Sequence, residues 1–82
     1  MEFLIKGYVN KLTEENIVEY AHKNGIEINN DETKIIYLYI KNYWNVFYNG
    51  NPNELFMELK EKIRPNTYNL IVKLFNEYKS KI

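Results

Sequence analysis

The chain has 82 residues, no cysteine, and a formal charge of zero from 11 basic and 11 acidic side chains. A single domain of this length buries roughly 60 to 65% of the surface its unfolded form exposes. With no disulfide or thiolate metal site to help, an apolar core must hold it together, and 45% apolar and 16% aromatic residues suffice for one. The net charge runs +1 over residues 1–12, −3 over 13–53 and +2 over 54–82, so no basic stripe forms of the kind that neutralises a phosphate backbone.

Residues 2–11 predict a first helix, with Leu4, Ile5, Tyr8 and Leu12 at helical spacing. Gly7 inside it costs up to about 1 kcal/mol relative to Ala, so this helix leans most on packing. Thr13 before Glu14 and Glu15 predicts the N-cap of a second helix, with carboxylates at the positive end of the dipole. Leu12 and Ile17 stand at hydrophobic-staple positions, and Ile17, Val18, Tyr20 and Ala21 make the apolar face. Gly25 supplies a left-handed terminating residue, with Ile26 closing the end. Ile26-Glu27-Ile28 alternates too briefly to found a sheet and reads as one extended crossing.

The third helix starts near Asn29 or Asn30, with Asp31 and Glu32 in its first turn. It contains the run from Ile35 to Tyr48, in which eleven of fourteen residues are apolar or aromatic. Ile35, Ile36, Tyr39, Ile40, Tyr43, Trp44, Val46, Phe47 and Tyr48 cover well over half its girth. Lys34, Lys41, Asn42 and Asn45 leave a narrower polar strip with Leu38 inside it. A helix this apolar needs neighbours on at least two sides, and it is too short and interrupted to span a bilayer.

Gly50 ends that helix, and Asn51 caps the fourth with Pro52 at its first position and Glu54 three residues after the cap. Leu55, Phe56, Leu59 and Ile63 face one way, and Glu58, Glu61 and Lys62 the other. Pro65 forces a break near Ile63-Arg64. The last helix carries the stripe Tyr68, Ile71, Val72, Phe75, Tyr78 and Ile82, with Lys79 and Lys81 in its last turns. The expectation is one all-α domain over residues 1–82: a compact bundle of four to five short helices around a central aromatic-rich helix, about residues 31–48. Its wrappers are Ile17, Val18 and Ala21, then Leu55, Phe56, Leu59 and Ile63, then Ile71, Phe75 and Tyr78.

The chemistry on offer is thin. There is one His, one Asp and one Ser. His22 sits near a helix C-terminus, where an imidazolium is mildly favoured, and Ser80 lies in the last residues, where chains fray. Glu54, Glu58 and Glu61 share a face, but without His partners they read as a solvated face beside Lys60 and Lys62; Glu14, Glu15 and Glu19 read the same way. No glycine-rich loop exists to cradle phosphate. The expectation is no enzyme, no catalytic residue, no cofactor and no metal. Thirteen Asn and ten Lys against one Arg and one Ala reflect A/T-rich codons.

Tyr37, Tyr39, Tyr43, Trp44, Tyr48, Tyr68 and Tyr78 allow two readings: a tyrosine-rich core edge, or a surface for a protein partner or for self-association. The wrappers leave over the side with Tyr37, Trp44 and Tyr48, which is the candidate partner surface. The alternative is nucleic-acid binding. Residues 12–26 resemble the opening of a SAP- or HeH-type helix–extended loop–helix unit, with a threonine-capped helix ending at Gly25-Ile26. On that reading a module over residues 12–48 would need Lys23, Lys34 and Lys41 to converge on one face, although the segment is net acidic.

Val9-Asn10-Lys11-Leu12-Thr13, Tyr20-Ala21, Gly25-Ile26, Asn45-Val46-Phe47, Ile63-Arg64-Pro65-Asn66-Thr67 and Leu74-Phe75 carry a further resemblance. Over Val9 to Tyr78 the chain resembles the YqfT-like family of small uncharacterised proteins of bacilli, a domain of unknown function. It departs from that family at Lys41-Asn42-Tyr43-Trp44, where an Arg-Gly-Lys-like stretch is usual, which weakens a phosphate-binding role there. The resemblance implies a helical fold and carries over no catalytic residue. The first residues, Met1 to Lys6, have no basic start followed by a long apolar stretch, so the expected location is the cytoplasm.

Overall fold

The computed structural model describes the backbone of residues 2–81 and the side chains of residues 7–77. Among them are five helices and no strand: α1 (Glu2–Lys11), α2 (Glu14–Lys23), α3 (Asn30–Asn49), α4 (Asn53–Lys62) and α5 (Pro65–Lys81). The all-α expectation holds. Helix α3, 20 residues long, packs against α1, α2, α4 and α5, and α4 and α5 also pack on each other. The aromatic run is therefore the axis of the bundle, as its wide apolar arc requires.

Local chemistry sets the boundaries. Thr13 Oγ1 accepts from the Asn16 backbone N–H at 3.1 Å, and Asn16 Oδ1 accepts from Thr13 N–H at 3.0 Å. This is a reciprocal capping box with Asn in the place usually taken by Glu or Gln. At the other end of α2, Gly25 N–H donates to the His22 carbonyl at 3.0 Å and Ile26 N–H to the Ala21 carbonyl at 2.9 Å. Those two bonds are a Schellman motif, and they need the φ of +75° that Gly25 adopts. Helix α3 opens on a second box: Asn29 Oδ1 accepts from Glu32 N–H at 2.8 Å, and Glu32 Oε1 from Asn29 N–H at 3.4 Å.

Two expected boundaries differ in detail. Gly50 ends α3 in an extended conformation, so its role is spatial: a Cβ there would stand 3.2 Å from the Val46 carbonyl oxygen. Helix α4 starts at Asn53, one residue later than expected, with Pro52 at the cap position. Pro52 has no polar side chain to offer, and Asn51 Oδ1 accepts from Asn53 N–H at 3.1 Å in its stead. Ile63 leaves α4 in an extended conformation, and Pro65 opens α5 as its first residue.

The core is narrower than the stripes implied. Ile17 of α2, Ile36 of α3, Leu59 and Ile63 at the end of α4, and Ile71 of α5 form its buried cluster. Ala21, Leu55 and Leu70 are buried as well. Val18 and Tyr8, expected on apolar faces, are exposed, and among the described side chains of α1 Val9 is buried. Leu4, Ile5, Tyr78 and Ile82 lie outside the described side chains. Phe56 packs edge-on against Phe47, Phe75 and Tyr68, with centroids 5.3, 5.3 and 6.3 Å away, and this aromatic set joins α3, α4 and α5.

The main departure from an apolar core is Glu32, only 3% exposed. Its carboxylate receives the Arg64 guanidinium through Nη2 at 2.8 Å and Nε at 3.1 and 3.2 Å, and the Arg64 backbone N–H at 2.9 Å. Arg64 Nη2 also donates to the Glu27 carbonyl at 2.6 Å. One carboxylate thus joins the α2–α3 connection, the start of α3 and the α4–α5 break. Burial pushes the Glu32 carboxyl up. The bonds from Arg64, helped by Thr67 and the Asn29 backbone, outweigh it and hold the group at about 2, against 4.5 for a free side chain. The fully buried Thr67 hydroxyl faces this carboxylate without making a hydrogen bond of ordinary geometry.

Two predictions follow from these contacts. Gly7 has open space where a Cβ would go, whereas Gly25 has a left-handed φ. The same Gly→Ala change should therefore act with opposite sign: Gly7→Ala stabilises by up to about 1 kcal/mol, and Gly25→Ala destabilises by about 1 kcal/mol. A urea midpoint that fell for Gly7→Ala, or rose for Gly25→Ala, would contradict the assignment at that position.

The second concerns acid. The Glu32 pKa is lower folded than unfolded, so its contribution is complete above the unfolded value of 4.5 and is lost as pH falls towards 2. The difference corresponds to a stabilisation on the order of 3 kcal/mol at neutral pH. Glu32→Gln has no proton to take up and should lose markedly less stability between pH 6 and pH 2 than the parent chain. Denaturation midpoints with equal acid sensitivity in the two proteins would exclude Glu32 as the acid-labile group.

Candidate functional site

Two places combine exposure with chemistry. The first is an open cleft of about 520 Å³ lined by Gly25, Ile26, Glu27, Arg64, Pro65 and Asn66. It lies where the Schellman turn meets the α4–α5 break. Its only basic group is Arg64, and that guanidinium is already held by Glu32 and the Glu27 carbonyl. The cleft therefore has little charge left to offer an anion.

The second is the solvent face of α3. Three of its large apolar side chains are open to water: Leu38 at 53%, Tyr43 at 42% and Val46 at 36%. Leu38, Asn42 and Val46 are spaced four residues apart and form one ridge along the helix. Asn45 and Asn49 stand beside it, with Asn49 Nδ2 donating to Asn45 Oδ1 at 2.8 Å. From Asn42 to Asn53, twelve consecutive residues carry no charge.

The helix bends on this face. Tyr43 has φ −125° and ψ 15°, outside the helical range, although α3 contains neither proline nor glycine. Tyr43 keeps its ring beside Tyr39, 5.5 Å between centroids, and remains in solvent. Beyond the bend, Phe47 turns inward to Phe56 and Phe75, 5.3 and 6.1 Å away. Tyr39 O–H donates to Glu58 Oε1 at 3.0 Å and so ties α3 to α4. Burial pushes the Tyr39 hydroxyl pKa up, and the Glu58 carboxylate adds to that.

Tyr37, Trp44 and Tyr48 are each half-buried. They share a strip with Lys41, whose ammonium stands 5.4 Å from the Tyr37 ring centroid and donates to the Asn10 carbonyl at 3.2 Å. Lys41 thus satisfies a carbonyl in the last turn of α1. The side that the sequence left uncovered receives the C-terminal end of α1, and the open apolar residues lie one strip further round, at Leu38 and Val46. Leu38 interrupts the polar strip of α3 in the sequence, and that interruption is the signal for this face.

Of the three lysines required for a nucleic-acid face, Lys23 and Lys34 are exposed and Lys41 is engaged as described. Glu54, Glu61 and His22 are exposed, while Glu58 holds Tyr39. Ser80 lies outside the described side chains. Among the described residues no group of three or more His, Asp or Glu side chains is placed to hold a metal ion. No helix among them is long and apolar enough to cross a membrane.

No curated protein and no solved structure matches the chain. A family model described as "Protein of unknown function (DUF2624)" matches residues 1–79. With nearly its whole length covered, the chain belongs to this family of proteins of unknown function.

Proposed function

We propose that the chain is a non-enzymatic protein-interaction module of the cytoplasm, with α3 as its contact surface. The observation that carries this reading is the exposed apolar ridge of α3 at Leu38 and Val46, whose C-terminal half lies in a stretch without charge. Interface centres are depleted of Lys, Glu and Asp and enriched in aromatic and apolar residues. Tyr37, Trp44 and Tyr48, half-buried beside the ridge, form the shoulder of that surface. A catalytic role lacks material: the chain has one His, one Ser and no Cys. The narrower kinship with the YqfT-like proteins of bacilli belongs to the same reading.

The test uses two exposed apolar positions on different helices. Val46→Lys places a charge on the α3 face, and Met57→Lys places one on α4, where Met57 is 68% exposed. In cells of the source organism, chemical cross-linking should capture the parent chain and Met57→Lys in a larger complex and lose it for Val46→Lys. Loss of the complex from both variants, or retention by both, would remove α3 from this role.

A further inference from the structure

We propose that the occupant of this face is a second copy of the chain, docked by an antiparallel crossing of two α3 helices centred on Asn42. The proposal rests on the reading of α3 as the contact surface and names what covers it. A contact between identical copies about a two-fold axis must be self-complementary, and the ridge has that property. Leu38 and Val46 stand four residues to either side of Asn42, so an axis through Asn42 brings Leu38 of one copy onto Val46 of the other, twice. At the centre Asn42 meets Asn42, and an amide both donates and accepts, so it pairs with its own image.

The charges agree with this arrangement. The chain has no net charge, so two copies do not repel at long range. The ridge continues to Lys34 at one end and Gly50 at the other. An antiparallel crossing sets Lys34 of each copy over the C-terminal end of the other α3. That end has no basic residue in its last turn to offset the negative pole of the helix. The Lys34 ammonium supplies what α3 lacks, and Gly50 has no side chain to obstruct it.

The test is sedimentation of the purified full chain over a concentration series into the millimolar range. The parent chain should dimerise, and Leu38→Lys and Val46→Glu should each weaken the dimer tenfold or more. An equimolar mixture of those two variants should return to dimer, because the two opposite charges meet across the axis. Circular dichroism checks that each variant folds; Asn42→Lys, which sets like charges on the axis and should give monomer, replaces any variant that does not. A parent chain that stays monomeric, or a mixture that fails to reassociate, overturns the proposal. If the parent chain is monomeric while the cellular complex still requires Val46, a different protein occupies the face and the reading of α3 stands. If Val46→Lys leaves the cellular complex intact but the purified variants behave as predicted, the copies associate and the cellular role of the face falls.

Discussion

A carboxylate removed from water needs enough partners to stay charged, and in this fold Glu32 finds them almost entirely in one residue, Arg64. The rest of the architecture is arranged so that the two meet. The left-handed Gly25 turns the chain out of α2 and brings the Glu27 carbonyl to Arg64 Nη2. Pro65 stops α4 from running into α5 and leaves the Arg64 backbone N–H free for Glu32. Glu32 is buried while the Arg64 side chain is more than half exposed, so losing Arg64 would strand a charge on the buried carboxylate. The pair also fixes where three segments sit relative to each other above the core of Ile17, Ile36, Leu59, Ile63 and Ile71.

Much of the frame was legible because it is written locally. The Thr13 cap, the Gly25 turn and the Pro65 start rest on chemistry within five residues, and each occurs where the residues place it. Burial was less legible. Val18 and Tyr8 fit helical spacing yet face water, because short helices touch neighbours along narrow lines that spacing alone does not locate. Glu32 was hidden for a different reason: an acid in a first turn already has a sufficient explanation in the helix dipole. The available signal lay in composition. A chain with ten lysines and one arginine places that arginine where a planar fork must grip a carboxylate at two points.

Helix α3 has two faces with different physical tasks. Ile36, Thr33 and Glu32 are buried and bind the bundle together. Leu38, Tyr43 and Val46 add nothing to that core, and their exposure keeps apolar surface in water. Natural surfaces tolerate scattered apolar residues, so exposure alone says little about α3. What separates this face is its arrangement: apolar residues on one ridge, a neutral amide between them and two more beside Val46, and a helix end without a compensating cation. The Tyr37, Trp44 and Tyr48 strip shares its work with α1 through Lys41, which is why the open ridge lies beside that strip.

The separation between Glu32 and Arg64 has a kinetic side. The two are 32 positions apart, and the chain between them includes most of α3 and all of α4. Closing a loop of that size costs entropy before the contact gives anything back, whereas the capping boxes and the Schellman turn close over a few residues. Helical segments and their caps can thus form early, and the ion pair clicks shut only after α3, α4 and the start of α5 have come together. A contact made after the transition state governs how fast the native state opens and leaves the rate of folding nearly untouched. In this small bundle the Glu32–Arg64 contact is expected to act on the unfolding rate more than on the folding rate.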